Sequence, residues 1–114
     1  MATSKETVAF VLDRLDDPRF SARAMFGEYT FYADGKPVGL ICDNILYVKI
    51  LPASQALEET CEKDPPYPNA KEHYVVDESW LSTRDDVERL SQILFKVAEA
   101  LPEKKKKVKK RKKE

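Results

Sequence analysis

Two thiols and one imidazole are the side chains in this sequence best suited to chemistry: Cys42, Cys61 and His73. A cysteine and a histidine brought together by a fold can act as nucleophile and base, and all three residue types can ligate a metal ion. They are separated by 19 and 12 residues, with no Cys-x-x-Cys pair and no second histidine, which is far from the spacing of zinc sites. The sequence therefore predicts no metal site and no cofactor.

The other chemistry-bearing residue types form no catalytic pattern. Gly27, Gly35 and Gly39 do not form a phosphate-binding loop, and Gly39 lies inside a predicted strand, where glycine often marks a bulge or a close backbone approach. Cys42 also falls in a strand, where a thiol is usually a small buried hydrophobic group. We predict that the protein has no catalytic residues and is not an enzyme. An enzyme with an unrecognised site centred on Cys42 or a tyrosine stays an alternative hypothesis.

Charge divides the chain into two parts. Residues 103–114 hold nine Lys/Arg and two Glu, a net charge of +7, whereas residues 1–102 hold 11 Lys/Arg and 18 Asp/Glu, a net charge of −7. The basic tail has too few apolar residues to fold alone, and it should attract nucleic acid without sequence preference. Its predicted contact residues are Lys104, Lys105, Lys106, Lys107, Lys109, Lys110, Arg111, Lys112 and Lys113. Solubilising the domain, folding back onto the acidic body and acting as a nuclear-import-like basic run are the alternative roles of this tail.

No segment predicts secretion or membrane insertion. The polar N-terminus lacks the apolar core of a signal peptide, and no apolar run approaches the roughly 18 residues of a membrane span. We therefore predict a cytoplasmic protein with both thiols reduced and no membrane partner.

Two amphipathic helices are predicted, one at each end of residues 1–102. Thr3 and Glu6 form a capping-box pattern, and apolar residues then recur at helical spacing until Asp16-Asp17-Pro18. Ser82 or Thr83 caps the last helix. Its apolar stripe consists of Val87, Leu90, Ile93, Leu94, Val97, Ala98 and Leu101.

Between these helices the pattern is that of β structure. Asp34-Gly35 and Asp43-Asn44 are two-residue turn signals, because these residues tolerate positive φ. The predicted strands are Ala22–Phe26, Glu28–Ala33, Val38–Cys42, Ile45–Ile50 and His73–Asp77, with a short helix at Pro52–Thr60 before a proline-rich loop. We therefore predict an α+β fold in the order α-β-β-β-β-α-β-α, with a central antiparallel sheet of about five strands flanked by helices.

The two turns also predict a strand register. The predicted pairs are Phe31 with Val38, Tyr29 with Leu40, Leu40 with Tyr47 and Cys42 with Ile45. Both faces of this sheet would be largely apolar, whereas an antiparallel sheet with one solvated face normally alternates apolar and polar residues. Either helices cover both faces, or one face meets a partner, and a homodimer is one such hypothesis.

The strand region resembles the TfoX N-terminal domain family. The motif residues that carry the resemblance are Met25, Phe26, Gly27, Tyr29, Gly35, Gly39, Leu40, Tyr47 and Lys49. The resemblance extends over roughly residues 4–100 and departs from the family pattern at Glu28 and Thr30, where glycines are common. It implies a domain with a central antiparallel sheet between helices.

The resemblance also implies a regulatory role. TfoX/Sxy proteins are bacterial regulators of natural competence that promote transcription alongside the cAMP receptor protein, and the family supplies no catalytic residues to carry over. We therefore predict a TfoX N-terminal-like domain over residues 1–102 and a disordered basic tail over residues 103–114. The predicted function is that of a non-enzymatic transcription or competence co-regulator that acts through a protein partner, such as a transcription factor. A nucleic-acid-binding accessory protein that uses the tail is the alternative.

Overall fold

The computed structural model describes residues 3–101, which form two α-helices, two 3₁₀ helices and a six-stranded sheet. In chain order the elements are α1 (Lys5–Leu15), β1 (Phe20–Met25), β2 (Glu28–Ala33), β3 (Lys36–Cys42), β4 (Ile45–Lys49), a 3₁₀ helix (Pro52–Leu57), β5 (Glu62–Asp64), β6 (His73–Val76), a second 3₁₀ helix (Glu78–Leu81) and α2 (Arg84–Ala100). The strand order is β1-β2-β3-β4-β6-β5, with every neighbouring pair antiparallel. The predicted α+β class is confirmed. The strand count was one short, because β5 is only three residues long and has no apolar pattern.

Helix α1 begins one residue later than predicted. Its N-cap is Ser4, whose Oγ accepts a hydrogen bond from the Thr7 N–H at 3.2 Å. Thr3 does not cap the helix, because its side chain is bonded to the sheet instead. The helix ends at Asp16, which adopts a left-handed φ of 50° two residues before Pro18, as predicted.

Helix α2 and the other helices bury one face of the sheet. Thr83 is the N-cap of α2, and its Oγ1 accepts from the Asp86 N–H at 3.1 Å. Side chains from both α-helices, both 3₁₀ helices and the sheet form a single hydrophobic core. Its fully buried members include Phe31, Ile41, Val48, Leu57, Tyr74, Leu90 and Leu94. Each such side chain contributes about 1.5–3 kcal/mol on leaving water.

The register between β2 and β3 differs from the predicted one. The ladder shifts between Phe31 and Tyr32, so that Phe31 lies opposite Gly39 and one extra residue of β3 is accommodated as a β-bulge. The predicted pairs of Phe31 with Val38 and Tyr29 with Leu40 are therefore wrong. The predicted pairs of Leu40 with Tyr47 and Cys42 with Ile45 are confirmed.

The bulge also decides which residues share a face. Tyr29 and Phe31 lie on the helix-covered face, whereas the other face, called here the open face, carries the alternate residues. These are Ser21, Arg23, Met25, Glu28, Thr30, Tyr32, Pro37, Leu40, Cys42, Ile45, Tyr47, Lys49, Glu62, Asp64, His73 and Val75. Cys42 and Tyr47 are buried but do not belong to the hydrophobic core. Within residues 3–101, then, the helices pack on one face of the sheet, and the other face carries Cys42 and Tyr47 as buried residues.

Candidate functional site

The most exposed apolar side chain lies at the tip of the β1–β2 hairpin. Phe26 is 98% exposed and its neighbour Met25 is 38% exposed. Phe26 and Gly27 form the two-residue turn, with φ of 52° and 86°, and β1 ends at Met25 rather than at Phe26 as predicted. Glycine adopts this left-handed conformation freely, but it costs a residue with a Cβ about 1–2 kcal/mol. A strained aromatic residue directed into solvent is a functional-site hypothesis in its own right.

A buried threonine holds the hairpin tip to the sheet. The N–H of Thr3 donates to Gly27 O at 3.1 Å. Its Oγ1 lies 2.6 Å from Glu28 Oε1 and 3.1 Å from Ile41 O, and the single hydroxyl proton favours the nearer carboxylate. The same Glu28 oxygen accepts from the Asp43 N–H at 3.1 Å. The turn that presents Phe26 is therefore anchored on its inner side.

Asn44 extends this anchor to helix α1. Its N–H donates to Thr3 Oγ1 at 3.2 Å, and its Oδ1 accepts from the Ser4 N–H at 2.9 Å and from the Thr7 hydroxyl at 2.8 Å. The start of α1, the β1–β2 turn and the β3–β4 turn thus form one hydrogen-bonded unit, called here the Thr3 clamp. The clamp ties the hairpin tip to the start of α1 and to the β3–β4 turn.

Strand β1 next to the tip is an open edge of the sheet. The Asp34 N–H donates to Arg19 O at 2.8 Å, which fixes the phase of the β1–β2 ladder. In that phase the N–H and C=O groups of Ala22 and Ala24 point away from β2, and no hydrogen-bond partner for them is found in residues 3–101. The strand residues Arg23, Ala24 and Met25 are all exposed.

The thiol and imidazole do not form a catalytic pair. Cys42 pairs with Ile45 at one end of β4, whereas His73 pairs with Lys49 at the other, about 13 Å along the strand. Burial, followed by the charges of Glu28 and Asp43, raises the pKa of the Cys42 thiol to about 11. A thiol that keeps its proton at neutral pH is a poor nucleophile, which argues against the alternative of a nucleophile at Cys42.

The remaining polar sites are occupied by structural contacts. Cys61 is half-buried against the core and is not bonded to Cys42, and burial raises the pKa of its thiol. Tyr74 donates a 2.8 Å hydrogen bond to Glu58 Oε1, and burial together with this bond raises the pKa of Tyr74 to about 12. In the described part of the chain, no three His, Cys, Asp or Glu side chains are placed to hold a metal ion. No described helix is long and apolar enough to cross a membrane.

A groove of about 640 Å³ lies between the end of α1 and the start of α2. One pair of its charges is bonded: Arg19 donates two hydrogen bonds to the Asp17 carboxylate, at 2.8 and 3.1 Å, and its guanidinium lies 4.1 Å from the centre of the Phe95 ring. The residues that line the groove, all within the described part of the chain, include no cysteine or histidine. The hydroxyl groups that line the groove therefore have no imidazole among the lining residues to act as their general base.

The structure places the motif residues in three locations. Met25, Phe26 and Gly27 form the hairpin tip. Tyr29 packs against the core and Gly35 lies in the β2–β3 turn with φ of 78°. Gly39, Leu40, Tyr47 and Lys49 lie in the centre of the sheet, where a Cβ on Gly39 would collide with Tyr47 O. The basic residues predicted to contact nucleic acid, Lys104 to Lys113, lie outside the described residues.

Two parts of the site were not foreseen from the sequence. The sequence pattern predicts Phe26 as the end of a strand and not as an exposed turn residue, although the glycine that follows it is a turn signal. The Thr3 clamp joins residues 25 to 41 positions apart, and no local pattern signals such a contact.

Comparison with known proteins identifies the family of the chain. The model of the TfoX N-terminal domain family matches residues 12–98. An uncharacterised 12.7 kDa protein encoded in the trpE 5′ region of Spirochaeta aurantia is 38% identical over 104 residues, which cover 90% of this chain and 86% of that protein. On these grounds the chain belongs to the TfoX N-terminal domain family.

Proposed function

We propose that the protein is a non-catalytic docking domain that binds a protein partner through the tip of the β1–β2 hairpin. The observation that carries this proposal is the 98% exposure of Phe26 in a left-handed turn. Asparagine or glycine would occupy that position without strain. Phe26 is unfavourable in the free protein, because its backbone is strained and its apolar ring faces water. Burial of the ring by a partner would offset these costs.

The surroundings of Phe26 suit an anchor residue. An aromatic side chain entering a partner's pocket gains about 1.5–3 kcal/mol from burial, and aromatic residues are enriched among the side chains that dominate interfaces. The Thr3 clamp holds the turn in place before binding, which lowers the ordering cost. The open edge of β1 lets the partner add a strand beside the anchor.

The partner is proposed to be a protein of transcription control. The support is membership of the TfoX N-terminal domain family, whose regulators of competence are described above. The raised pKa of the buried Cys42 thiol and the bonding of Arg19 to Asp17 in the helix groove support docking rather than catalysis at these two places. A co-regulator needs a docking surface rather than a reactive group.

The test compares two aromatic residues that are both exposed. Phe26→Ser removes the proposed anchor, and Tyr67→Ser removes a 50% exposed aromatic ring from the loop after β5 as a matched control. The full chain is immobilised, and a partner retained by the wild type and by Tyr67→Ser should be lost with Phe26→Ser. Retention of the same partner by all three proteins, each with an unchanged circular dichroism spectrum, would refute docking through the tip.

A second candidate function is nucleic-acid binding by the basic tail, favoured by the net charge of +7 on residues 103–114. A full chain in which the tail lysines and Arg111 are changed to glutamine should lose retention on duplex DNA. The logarithm of wild-type affinity should fall with the logarithm of salt concentration, with a slope of about −0.9 per phosphate neutralised. Binding that is insensitive to salt or to these substitutions would exclude the tail as the contact.

A further inference from the structure

The open face of the sheet combines apolar, acidic and basic side chains, with Lys49 on β4 and two acidic residues on β5. Tyr32, Leu40, Ile45 and Val75 are half-buried on it, around the buried Tyr47. At its β5 border, Glu62 and Asp64 are exposed. Burial first, and then the negative charge of Asp64, raise the pKa of the Tyr47 hydroxyl. The acidic border and the aromatic centre are therefore close enough to act on one ligand.

This face has a basic counterpart in the same chain. Residues 103–114 carry a net charge of +7, against −7 for the rest of the chain. Lysine side chains can lay their aliphatic stems on aromatic and branched side chains while the ammonium group reaches a carboxylate. Tyrosine rings add a favourable contact with cations. The chemistry of the open face thus fits a lysine-rich segment.

The last described residue, Leu101, lies at the end of the sheet from which the tail can reach the open face. Leu101 O accepts a hydrogen bond at 3.2 Å from the Nζ of Lys36, the first residue of β3. In the strand register, the same end of the sheet holds Lys49, His73 and Asp64. Asp64 is three strands away from β3, which is about 14 Å at the usual strand spacing. The 13 residues after Leu101 can span up to about 45 Å.

We infer that the basic tail, residues 103–114, binds the open face of its own chain between β4 and the β5 edge. Its ammonium groups meet Glu62 and Asp64, and its lysine stems lie on the half-buried Val75. Because the contact is electrostatic and exposed at its border, it is weak and salt-sensitive. The tail then exchanges between this face and any external polyanion, so the folded domain limits how strongly the tail binds elsewhere.

Zero-length carbodiimide cross-linking of the full chain is the first test, since it joins an amine to a carboxylate only when they touch. At about 50 mM salt, we expect links from the tail lysines to Glu62 and Asp64 in the monomer band. Their yield should exceed by about fivefold the yield of links to Asp13 and Glu88, two exposed acids on the helices. Equal yields at all four acids would overturn the inference. Links found only in a dimer band would also overturn it, because the tail would then occupy a second copy.

A matched pair of variants provides the second test. Glu62→Gln/Asp64→Asn and Asp13→Asn/Glu88→Gln remove the same charge by the same chemistry, so any effect of net charge is equal in both. In ¹⁵N spectra of the full chain at low salt, the tail amides should move to random-coil shifts in the first variant and stay at wild-type shifts in the second. If both variants leave the tail amides unmoved, or both move them equally, the tail does not bind the open face.

Discussion

The two edges of the sheet are built in opposite ways. Strand β5 is three residues long, all of them charged, and the chain turns away from it at Pro65-Pro66. Strand β1 is six residues long, with Arg23 as its one charge, and leads into the exposed Phe26. Short length, charge and proline are the devices that keep a sheet edge from pairing with another chain. Only the β5 edge has them, which is why we assign protein docking to β1.

Proline substitution gives the largest expected effect and tests whether the β1 edge is open. Arg23→Pro should cost about 3 kcal/mol, because the N–H of Arg23 faces β2 in the ladder and would be lost. Ala24→Pro should cost well under about 1 kcal/mol, because its N–H points outward and proline is tolerated there. Urea unfolding of both variants measures the difference. Equal losses would mean that the outward groups of β1 are already bonded.

The Thr3 clamp has the next largest expected effect on the free energy of unfolding. It lies on the β1 side of the sheet and not at the β5 edge. Thr3→Val removes the hydroxyl that donates to Glu28 and accepts from the Asn44 N–H, so Glu28 Oε1 keeps only the Asp43 N–H and the Asn44 N–H loses this acceptor. We expect a loss of about 2 kcal/mol in the free energy of unfolding. Thr7→Val, which alters the exposed cap contacts of α1, should cost about 1 kcal/mol or less. A smaller loss for Thr3→Val than for Thr7→Val would show that the tip is held by other contacts.

Raising the pH tests the burial of Cys42 on the open face, which lies between the two edges. Burial raises the pKa of Cys42 from its usual 9.0 to about 11, so the folded state keeps this proton where the unfolded chain loses it. The corresponding stability is fully present below pH 9 and is lost as the pH rises towards 11. The stability lost over this pH range is on the order of 2 kcal/mol. The free energies of unfolding of wild type and Cys42→Ala should converge as the pH rises from 8 to 11. A constant difference between them would show that the Cys42 thiol is hydrated in the folded state.

Phe26→Asn gives the smallest expected change in the free energy of unfolding. The sign of that change is what tests the docking proposal. An Asn-Gly turn is the preferred two-residue hairpin turn, so relief of the left-handed strain should raise stability by about 1 kcal/mol. Partner binding should be lost in the same variant. A destabilised Phe26→Asn would mean that the ring makes contacts within the protein and is not held out for a partner.

Much of the local structure was predictable because its causes are local. Asp34-Gly35 and Asp43-Asn44 form the two predicted turns with positive φ, since these residue types accept that conformation. The apolar stripe of α2 and its Thr83 cap were also correct. The β-bulge was not located, although Gly39 was recognised as a position where a bulge or a close approach is common, and the structure has both beside it.

The sequence by itself determined the helices, the turns, the division of charge and the family resemblance, because spacing, turn chemistry and composition act over a few residues. The tertiary structure decided the rest. A one-residue bulge at Phe31/Tyr32 reassigned side chains between the two faces, since strand faces alternate with a period of two. Long-range hydrogen bonds from Thr3 tied the Phe26 hairpin to the start of α1 and to the β3–β4 turn. Packing of every described helix on one side left the open face, and no local pattern states on which side of a sheet a helix will pack.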